Sequence, residues 1–229
     1  ALAGTIAATR LSANNTSGFS IVEWTGTGTA STVAHGLSTT PTMVIVKNFG
    51  GAVAAANEWA VYSEPVGNTK ALHLNDTSTG TTSINMWNNT SPTSSVFSVK
   101  SSTNTNEDAE FYIAYCFHSV EGYSKVGSYE GNGVVDGTFI YTGFRPAFIM
   151  SKSVDSTGGW YMFDDKRAGY NVDNYKLAAD DYDSANDTTV FLDIVSNGIK
   201  LRGTTDPNIA ETYVYIAFAE SPFKYSNAR

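Results

Sequence analysis

The stretch PTMVIVK at Pro41–Lys47 recurs about 105 residues later in the chain as PAFIMSK at Pro146–Lys152. Four other blocks recur in the same order, and among them Tyr112–Tyr115 is matched with Tyr215–Phe218. Ordered matches of this kind indicate an internal repeat. The 229 residues are also enough for two units of ordinary domain size. The sequence therefore predicts three parts, namely a polar lead-in at 1–17, a first repeat at 18–121 and a second repeat at 122–229.

Within each repeat, short runs rich in Val, Ile, Tyr, Phe and Thr are separated by clusters of Gly, Asn, Ser, Thr and Pro. Turn clusters at intervals of about 8 to 14 residues are typical of β-sandwiches rather than of alternating strands and helices. We therefore predict an all-β fold of two tandem β-sandwich repeats, jelly-roll-like and about 105 residues each. Met43–Val46 is apolar on both faces and is predicted to be a central strand. The predicted strands are 19–25, 31–35, 42–48, 58–63, 71–75, 95–100 and 109–118, then 123–129, 137–142, 146–152, 159–164, 189–195, 198–202 and 211–219.

Composition and charge exclude several classes of protein. Hydrophobic residues make up 41% of the chain and aromatic residues 13%, which is too many for a disordered chain, while 16% charged residues is too few for a charged helical bundle. With 14 Lys and Arg and a net charge of −8, the chain lacks the clustered cations that bind nucleic acid. No apolar run approaches the ~20 residues of a membrane-spanning helix, so no membrane insertion is expected. The single cysteine, Cys116, excludes an internal disulfide framework.

The sequence predicts no catalytic residues, and Ca²⁺ at an acidic segment of the second repeat is the one cofactor that it suggests. The three histidines, His35, His73 and His118, lie in no catalytic or metal-binding spacing. His35 precedes Gly36 in a predicted turn, where we expect it to form hydrogen bonds at the end of a strand. Cys116 lies inside a predicted strand and is expected to be a small buried side chain. Residues that recur in both repeats are interpreted as part of the fold, because both copies need the same packing whereas a site needs only one place.

One acidic segment of the second repeat has no match in the first. Asp180–Asp187 carries four carboxylates and Asn186 within eight residues, and such oxygens are ligands that Ca²⁺ prefers. The segment lacks the Gly and the closing Glu of an EF-hand. Two interpretations are open, a solvated acidic loop or a Ca²⁺ site formed by Asp180, Asp181, Asp183 and Asp187.

Aromatic residues near unmatched loops are the candidates for ligand contact. Rings beside Asp and Asn side chains can stack on a sugar whose hydroxyls those side chains bind. The segment 165–188 differs most between the repeats, and loops on a rigid scaffold are where binding usually sits. The candidates are Tyr170, Tyr175 and Tyr182 in this segment and Trp87 in the first repeat. Ordinary packing is the alternative for each of them.

Eight blocks of the chain together carry a resemblance to a known family. In the first repeat the blocks are Gly18–Val22, Thr25–Gly28, Val33–Leu37, Pro41–Lys47 and Pro92–Phe97, and in the second they are Gly122–Tyr129, Gly143–Phe148 and Ala217–Lys224. The set resembles a domain found in structural proteins of tailed bacteriophages, especially those of marine and cyanobacterial hosts. The segment from His35 to Pro41 is also similar to modules of phage tail fibres. The resemblance covers nearly the whole chain from residue 18 and carries over no catalytic residues.

The resemblance implies a virion protein, located in the extracellular particle, without enzymatic activity. We expect a module of a tail fibre, spike or similar appendage that serves assembly or attachment to the host surface. The implied partners are other virion proteins, copies of the chain itself in a homo-oligomer that is trimeric by analogy with fibres, and a host-surface glycan. Two alternatives are open: a capsid decoration protein, and a virion enzyme that cleaves envelope glycans with a pair of carboxylates in a groove. An acidic pair facing a cleft favours the enzyme, whereas a large apolar face favours assembly.

Overall fold

The structure is a computed structural model that describes residues 2–52, 57–167, 171–173, 175–181 and 189–222. It confirms the predicted all-β class, because strands predominate and the described residues contain one helix, which is four residues long. Within these residues, no helix has the length and apolar character needed to cross a membrane. The chain divides into two compact units, unit 1 with Ala1–Leu74 and Gly80–Ser119, and unit 2 with Asn75–Thr79 and Val120–Arg229.

Unit 1 consists of antiparallel strands and the short helix. In chain order these are β1 (Arg10–Asn14), β2 (Phe19–Thr25), β3 (Ser31–Ala34), β4 (Met43–Gly50), β5 (Ala60–Ser63), β6 (Lys70–His73), β7 (Thr81–Thr82), α1 (Ile84–Trp87), β8 (Val96–Val99) and β9 (Phe111–Phe117). Seven strands form one sheet in the order β1-β2-β9-β4-β5-β6-β7, and β3 pairs with β8 in a second sheet.

The core of unit 1 takes side chains from both of its sheets. Trp24 of β2 stacks on Tyr112 of β9 with 5.4 Å between ring centroids and meets Phe97 of β8 edge-on at 5.6 Å. Strand β4 lies between β9 and β5, and Met43–Val46 is buried on both faces. This confirms the predicted central strand, since only a strand covered on both faces keeps a continuous apolar run.

Unit 2 also contains a larger and a smaller sheet. The strands are β10 (Ser124–Glu130), β11 (Phe139–Tyr141), β12 (Pro146–Ser153), β13 (Tyr161–Asp164), β14 (Leu177–Ala178), β15 (Leu192–Val195), β16 (Gly198–Leu201) and β17 (Thr212–Ala219). One sheet has the order β10-β17-β12-β13-β14 and the other the order β11-β16-β15, with all pairs antiparallel. In its core Tyr129 of β10 stacks on Tyr213 of β17 with 5.0 Å between ring centroids.

The last strand of each unit lies at the same place in its sheet. Strand β9 lies between β2 and β4, and β17 lies between β10 and β12. The repeat in the sequence matches Trp24 with Tyr129. Trp24 is paired with Tyr112 and Tyr129 with Tyr213, so the pairing makes Tyr213 the counterpart of Tyr112. The sequence match with Tyr215 is therefore wrong by two residues. A shift of two leaves the same side chains facing the core, because alternate residues of a strand face opposite sides, so the apolar pattern does not detect it.

The part of the chain predicted as a polar lead-in contributes to the fold of unit 1. Strand β1 pairs with β2 along its whole length, and Ile6 forms a parallel bridge with Val33 of β3. Ile6 is buried and belongs to the apolar core. Strand β1 carries no alternating pattern, because four of its five side chains are exposed, and this is why the sequence does not predict it.

A buried asparagine holds the turn that follows β2. The Asn106 Nδ2 donates to the carbonyl oxygens of Lys100 (2.6 Å) and Thr29 (2.8 Å), and its Oδ1 accepts from the N–H of Thr27 (3.1 Å). The side chain is fully buried, so these backbone groups have their bonds made inside the protein. Gly26 is required in this turn, because a Cβ there would collide with the backbone of the segment that carries Asn106.

Unit 2 holds the turn after β10 in the same way. The fully buried Asn208 donates from Nδ2 to the carbonyl oxygens of Gly203 (2.7 Å) and Val134 (2.9 Å) and accepts from the N–H of Asn132 at 3.2 Å. Gly131 leaves room for the carbonyl of the adjacent segment, as Gly26 does in unit 1. Each of the two turns is therefore held by its own buried asparagine. The pattern of apolar residues in the sequence does not reveal these asparagines.

We expect Asn106→Ala to lower the free energy of unfolding of unit 1 by roughly 2–3 kcal/mol, because it leaves buried backbone groups without partners. Urea denaturation followed by tryptophan fluorescence measures this, since three of the four tryptophans, Trp24, Trp59 and Trp87, lie in unit 1. Asn85→Ala, at an exposed position of unit 1, is the matched control and should change the free energy little. Equal effects of the two variants would contradict this role of Asn106.

Candidate functional site

Trp87 lies in the apolar core of unit 1 and not at its surface. The side chain is 2% exposed and meets the Tyr62 ring edge-on, with 5.9 Å between ring centroids. It stands at the end of α1, which begins at the N-cap Ser83, whose hydroxyl accepts the N–H of Asn85. This placement favours packing, the alternative to ligand contact at this residue.

The predicted aromatic residues of segment 165–188 are only partly described. Tyr170 and Tyr182 lie outside the described residues, and the prediction for them stands as it is. Tyr175 is half-buried, and its backbone N–H donates to the Asp173 Oδ1 at 3.0 Å. Nearby on the sheet, the Lys176 ammonium lies 4.2 Å from the centre of the Tyr161 ring, a cation–π contact. The aromatic face of Tyr161 is therefore covered by a residue of the protein itself.

The four predicted calcium ligands are likewise divided. Asp183 and Asp187 lie outside the described residues. Asp181 is exposed, whereas Asp180 is half-buried and its Oδ1 accepts the backbone N–H of Trp160 at 2.8 Å. Asp180 thus fixes the start of β13, and one of its two oxygens already has a protein partner. A Ca²⁺ site with these ligands stays a prediction.

Three charged residues of unit 2 meet beside β13. Asp164, at the end of this strand, accepts the N–H groups of Lys166 and Arg167 on Oδ1 at 3.0 Å each and the Arg167 Nε on Oδ2 at 2.5 Å. Burial alone acts to raise the pKa of the Asp164 carboxyl, but the hydrogen bonds from Arg167 and Lys166 together hold it below its ordinary value. Asp164 is therefore ionised at neutral pH and forms an ion pair with Arg167.

Asp173 also lies near Arg167, but the pKa of its carboxyl is shifted in the opposite direction. It is 2% exposed, and burial raises the pKa of its carboxyl, while the N–H of Tyr175 and the charge of Arg167 act in the other direction. Among the described residues, its Oδ2 has no hydrogen-bond partner. Its backbone bridges to Leu192, the first residue of β15, which holds the carboxyl inside the unit. Two carboxylates with opposite pKa shifts thus lie around one arginine, but one of the two is closed off from solvent.

A surface cavity of about 210 Å³ lies elsewhere in unit 2. It is lined by Gly143, Phe144, Arg145, Ser196, Glu220 and Ser221. The Arg145 Nε lies 3.6 Å from the Glu220 carboxylate. Arg145 also forms an ion pair with the buried carboxylate of Asp165, and Lys166 forms ion pairs with both Asp165 and Glu220. Glu220 is the one carboxylate in this lining, and it is already paired. The cavity therefore offers hydrogen-bonding groups but not the two free carboxylates of a glycosidase.

His35 and Cys116 have the structural roles that the sequence predicts. The His35 Nδ1 accepts the N–H of Leu37 at 3.1 Å, and its Nε2 lies 3.1 Å from the carbonyl oxygen of Thr93, which assigns the ring proton to Nε2. Burial lowers the pKa of this imidazole, so it is neutral at physiological pH. Burial raises the pKa of the Cys116 thiol to about 12, which removes it as a nucleophile near neutral pH.

The sequence reading missed a group of exposed apolar side chains at the edge of unit 2. Within eight residues, Val134 is 50% exposed, Val135 64%, Phe139 44% and Tyr141 59%. We call these four residues the β11 patch. Phe139 and Tyr141 lie on one face of β11, because the buried Ile140 between them faces the core. The Lys125 ammonium lies 5.2 Å from the centre of the Tyr141 ring. The sequence signal was present, since polar residues are expected outside on an alternating edge strand and aromatic residues stand there instead.

Comparison with known proteins assigns a family to this chain. A family model described as a domain of unknown function, DUF7483, matches residues 2–222. No curated protein and no solved structure matches the chain. The family match covers both units, so they fall within one family domain.

We expect Asp173→Asn to stabilise unit 2 at pH 7. The folded state binds the Asp173 proton more tightly than the unfolded chain, so the stability contributed by this carboxyl is full below its unfolded pKa and is lost as pH rises through the folded value. Asn keeps an acceptor for the Tyr175 N–H and carries no charge. The gain should therefore shrink towards about pH 4, where the unfolded carboxyl takes up its proton.

Urea denaturation of both proteins at pH 4 and pH 7, followed by circular dichroism, measures this effect. Asp108→Asn, at an exposed position of unit 1, is the control and should show no such pH-dependent gain. A variant Asp173→Asn that is less stable than the parent at pH 7 would show that the Arg167 charge outweighs burial.

Proposed function

We propose that this chain, which belongs to the DUF7483 family, is a non-enzymatic structural protein of a bacteriophage particle. It acts there as a module of a tail fibre, spike or similar appendage and serves assembly or attachment to the host surface. Its partners are other virion proteins and copies of itself, with a host-surface glycan as a further ligand. In this role the protein is located in the extracellular virion.

The β11 patch is the observation that carries this proposal. Four apolar side chains, two of them aromatic, are exposed within eight residues. Exposure of clustered apolar groups to water is unfavourable, and such clusters mark sites of protein interaction. In an assembly protein such a surface is buried against a partner, whereas in a freely diffusing protein it promotes aggregation.

The similar strand orders of the two units support the finer part of the proposal. We infer that residues 18–121 and 122–229, which make up most of units 1 and 2, are two copies of one β-sandwich of the jelly-roll kind. Sheets β2-β9-β4-β5-β6 and β10-β17-β12-β13-β14 agree in order, and each is accompanied by a smaller sheet. Rigid β-sandwiches in tandem suit an appendage, because each copy positions loops without needing long helices. The resemblance to phage structural proteins points the same way.

The environment of Asp164 and Asp173 supports the absence of glycan-cleaving activity. A glycosidase needs two carboxyl groups that both reach the glycosidic bond. Asp173 is 2% exposed and Asp164 is paired with Arg167, so neither is available in that way. Capsid decoration is the alternative within the particle, because an exposed apolar edge also suits binding to a capsid lattice.

Labelling of intact particles tests the position of the protein. Antibodies raised against the purified chain are bound to particles of the bacteriophage that carries it, and the label is located by electron microscopy. We expect label at tail fibres or spikes, with pre-immune serum as the control. Label over the capsid surface would select the decoration protein. Unlabelled particles from a lysate that reacts with the antibody would overturn the proposal.

An assay of glycan cleavage tests the non-enzymatic part. The purified chain is incubated with envelope polysaccharide of the host, and newly formed reducing ends are measured. We expect no release above that of the heat-treated chain. Release that is abolished by Asp164→Asn, with the fold of that variant verified by circular dichroism, would identify an enzyme instead.

A further inference from the structure

The outer edge of β11 presents backbone groups that the described chain does not bind. Thr138 and Thr142 form backbone hydrogen bonds with the hairpin that contains β16. Bonded and non-bonded residues alternate in an antiparallel ladder, so the N–H and C=O groups of Phe139 and Tyr141 point away from β16. The carbonyl of Tyr141 accepts the Lys125 ammonium at 2.7 Å. Within the described residues, the other three outward groups have no partner.

The corresponding edge in unit 1 is covered by the beginning of the chain. Strand β3 is the counterpart of β11, since each is paired with one strand of the smaller sheet of its unit and the buried Val33 is paired with Phe97 as the buried Ile140 is with Ile199. The carbonyl of Thr32 accepts the N–H groups of Thr5 and Ile6, both at 3.0 Å, and its N–H donates to the Thr5 Oγ1 at 2.8 Å. Strand addition therefore satisfies this edge in unit 1.

Side chains differ between the covered and the uncovered edge. The covered strand β3 has the small residues Thr32 and Ala34 at the positions where β11 has Phe139 and Tyr141. Large rings on a solvent-facing edge raise the risk of unwanted pairing, which proteins usually prevent with charged residues. Of these two edges, the uncovered one alone carries large rings, which indicates that a partner strand binds there.

We propose that β11 pairs antiparallel with β11 of a second copy of this chain, about a twofold axis at Ile140. The inference rests on the assembly role proposed above and names its partner. The twofold axis sets Phe139 opposite Tyr141 of the second copy, and these are the residues whose backbone groups point outward. Each of the two opposed pairs then exchanges N–H to C=O bonds, in which the Tyr141 carbonyl accepts from the second copy as well as from Lys125, and each brings two rings together on one face. The edge is thus complementary to itself, as a twofold contact requires.

Area and charge fit a weak dimer. Aromatic side chains bury roughly 150–250 Å² each, and the four rings of two copies, about half exposed, offer roughly 300–500 Å² in total. That is below the about 1,600 Å² of a standard stable interface even when Val134 and Val135 are added. Lys200 of β16, near this edge, is already paired with Asp136 at 2.7 Å, so its charge is balanced within the same chain. Salt should strengthen the dimer, because it screens the repulsion between two chains of net charge −8.

Sedimentation equilibrium of the full chain tests the contact. We expect the parent protein to show a monomer–dimer equilibrium that shifts towards dimer with concentration and with added NaCl. The double variant Phe139→Ser, Tyr141→Ser should weaken dimerisation by at least tenfold. Phe49→Ser is the matched control, because Phe49 is 54% exposed but lies on β4 of unit 1, and it should leave the equilibrium unchanged.

Disulfide trapping tests the register. In the proposed pairing, positions 139 and 141 of different copies have Cα atoms about 5.5 Å apart, within the range a disulfide spans. Two copies of position 139 are roughly 8 Å apart, beyond that range. We therefore expect a mixture of Phe139→Cys and Tyr141→Cys proteins to form mixed disulfide dimers under mild oxidation, and each variant alone to form few. The natural Cys116 is buried and should not contribute.

Three results would overturn the inference: a monomer at all concentrations up to the millimolar range, a trimer that the double variant leaves intact, or a dimer whose crosslinks do not follow the predicted register. A trimer would indicate the fibre symmetry, and a dimer with other crosslinks would indicate another segment at this edge. Particle labelling is independent of these results. Labelled appendages together with a monomeric chain would sustain the proposed function and remove only the β11 contact.

Discussion

Each unit depends on a pair of stacked rings that joins its first long strand to its last. Trp24 stacks on Tyr112 and Tyr129 stacks on Tyr213, in both cases between directly paired strands. Because the last strand is also the neighbour of β4 or β12, the centre of each sheet exists only when the two ends of the unit have come together. The ring pairs place large apolar surface at that junction, where it offsets the entropy of closing a loop of about 90 residues.

Polar groups determine how the turns around this centre are held. Asn106 and Asn208 are fully buried, and each satisfies backbone donors and acceptors that no strand can reach. A buried amide with all its bonds made specifies one geometry, because any displacement leaves groups unpaired at a cost. Asp173 is the contrasting case, because one oxygen is bonded and the other is buried without a partner among the described residues. Such a group lowers stability, and it lies within 165–188, the segment that differs most between the repeats.

The outer edges of the smaller sheets are occupied differently in the two units. In unit 1, Ile6 and β1 add to the outer edges of β3 and β2 and enter the core or its rim. In unit 2 the segment before β10 is short, since Val120 directly follows unit 1 and itself bridges to Ser124. Within the described part of the chain, the outer edge of β11 therefore stays open. Rings at that edge are consistent with a contact outside the unit, because they bury little within it.

The sequence by itself determined most strands of both units, because alternating apolar residues and turn clusters are local properties of the chain, but it did not predict the two-residue strands β7 and β14. Every strand it predicted is present within a few residues, including the central strand Met43–Val46. It did not determine β1, whose side chains are mostly exposed, nor the correspondence of Tyr112 with Tyr213, since a shift of two residues preserves the pattern of buried faces. Only the tertiary structure decided that Trp87 is buried and that Phe139 and Tyr141 are exposed. An aromatic residue in a short segment has the same local sequence signal in either environment, and the difference arises from which other strands lie against it.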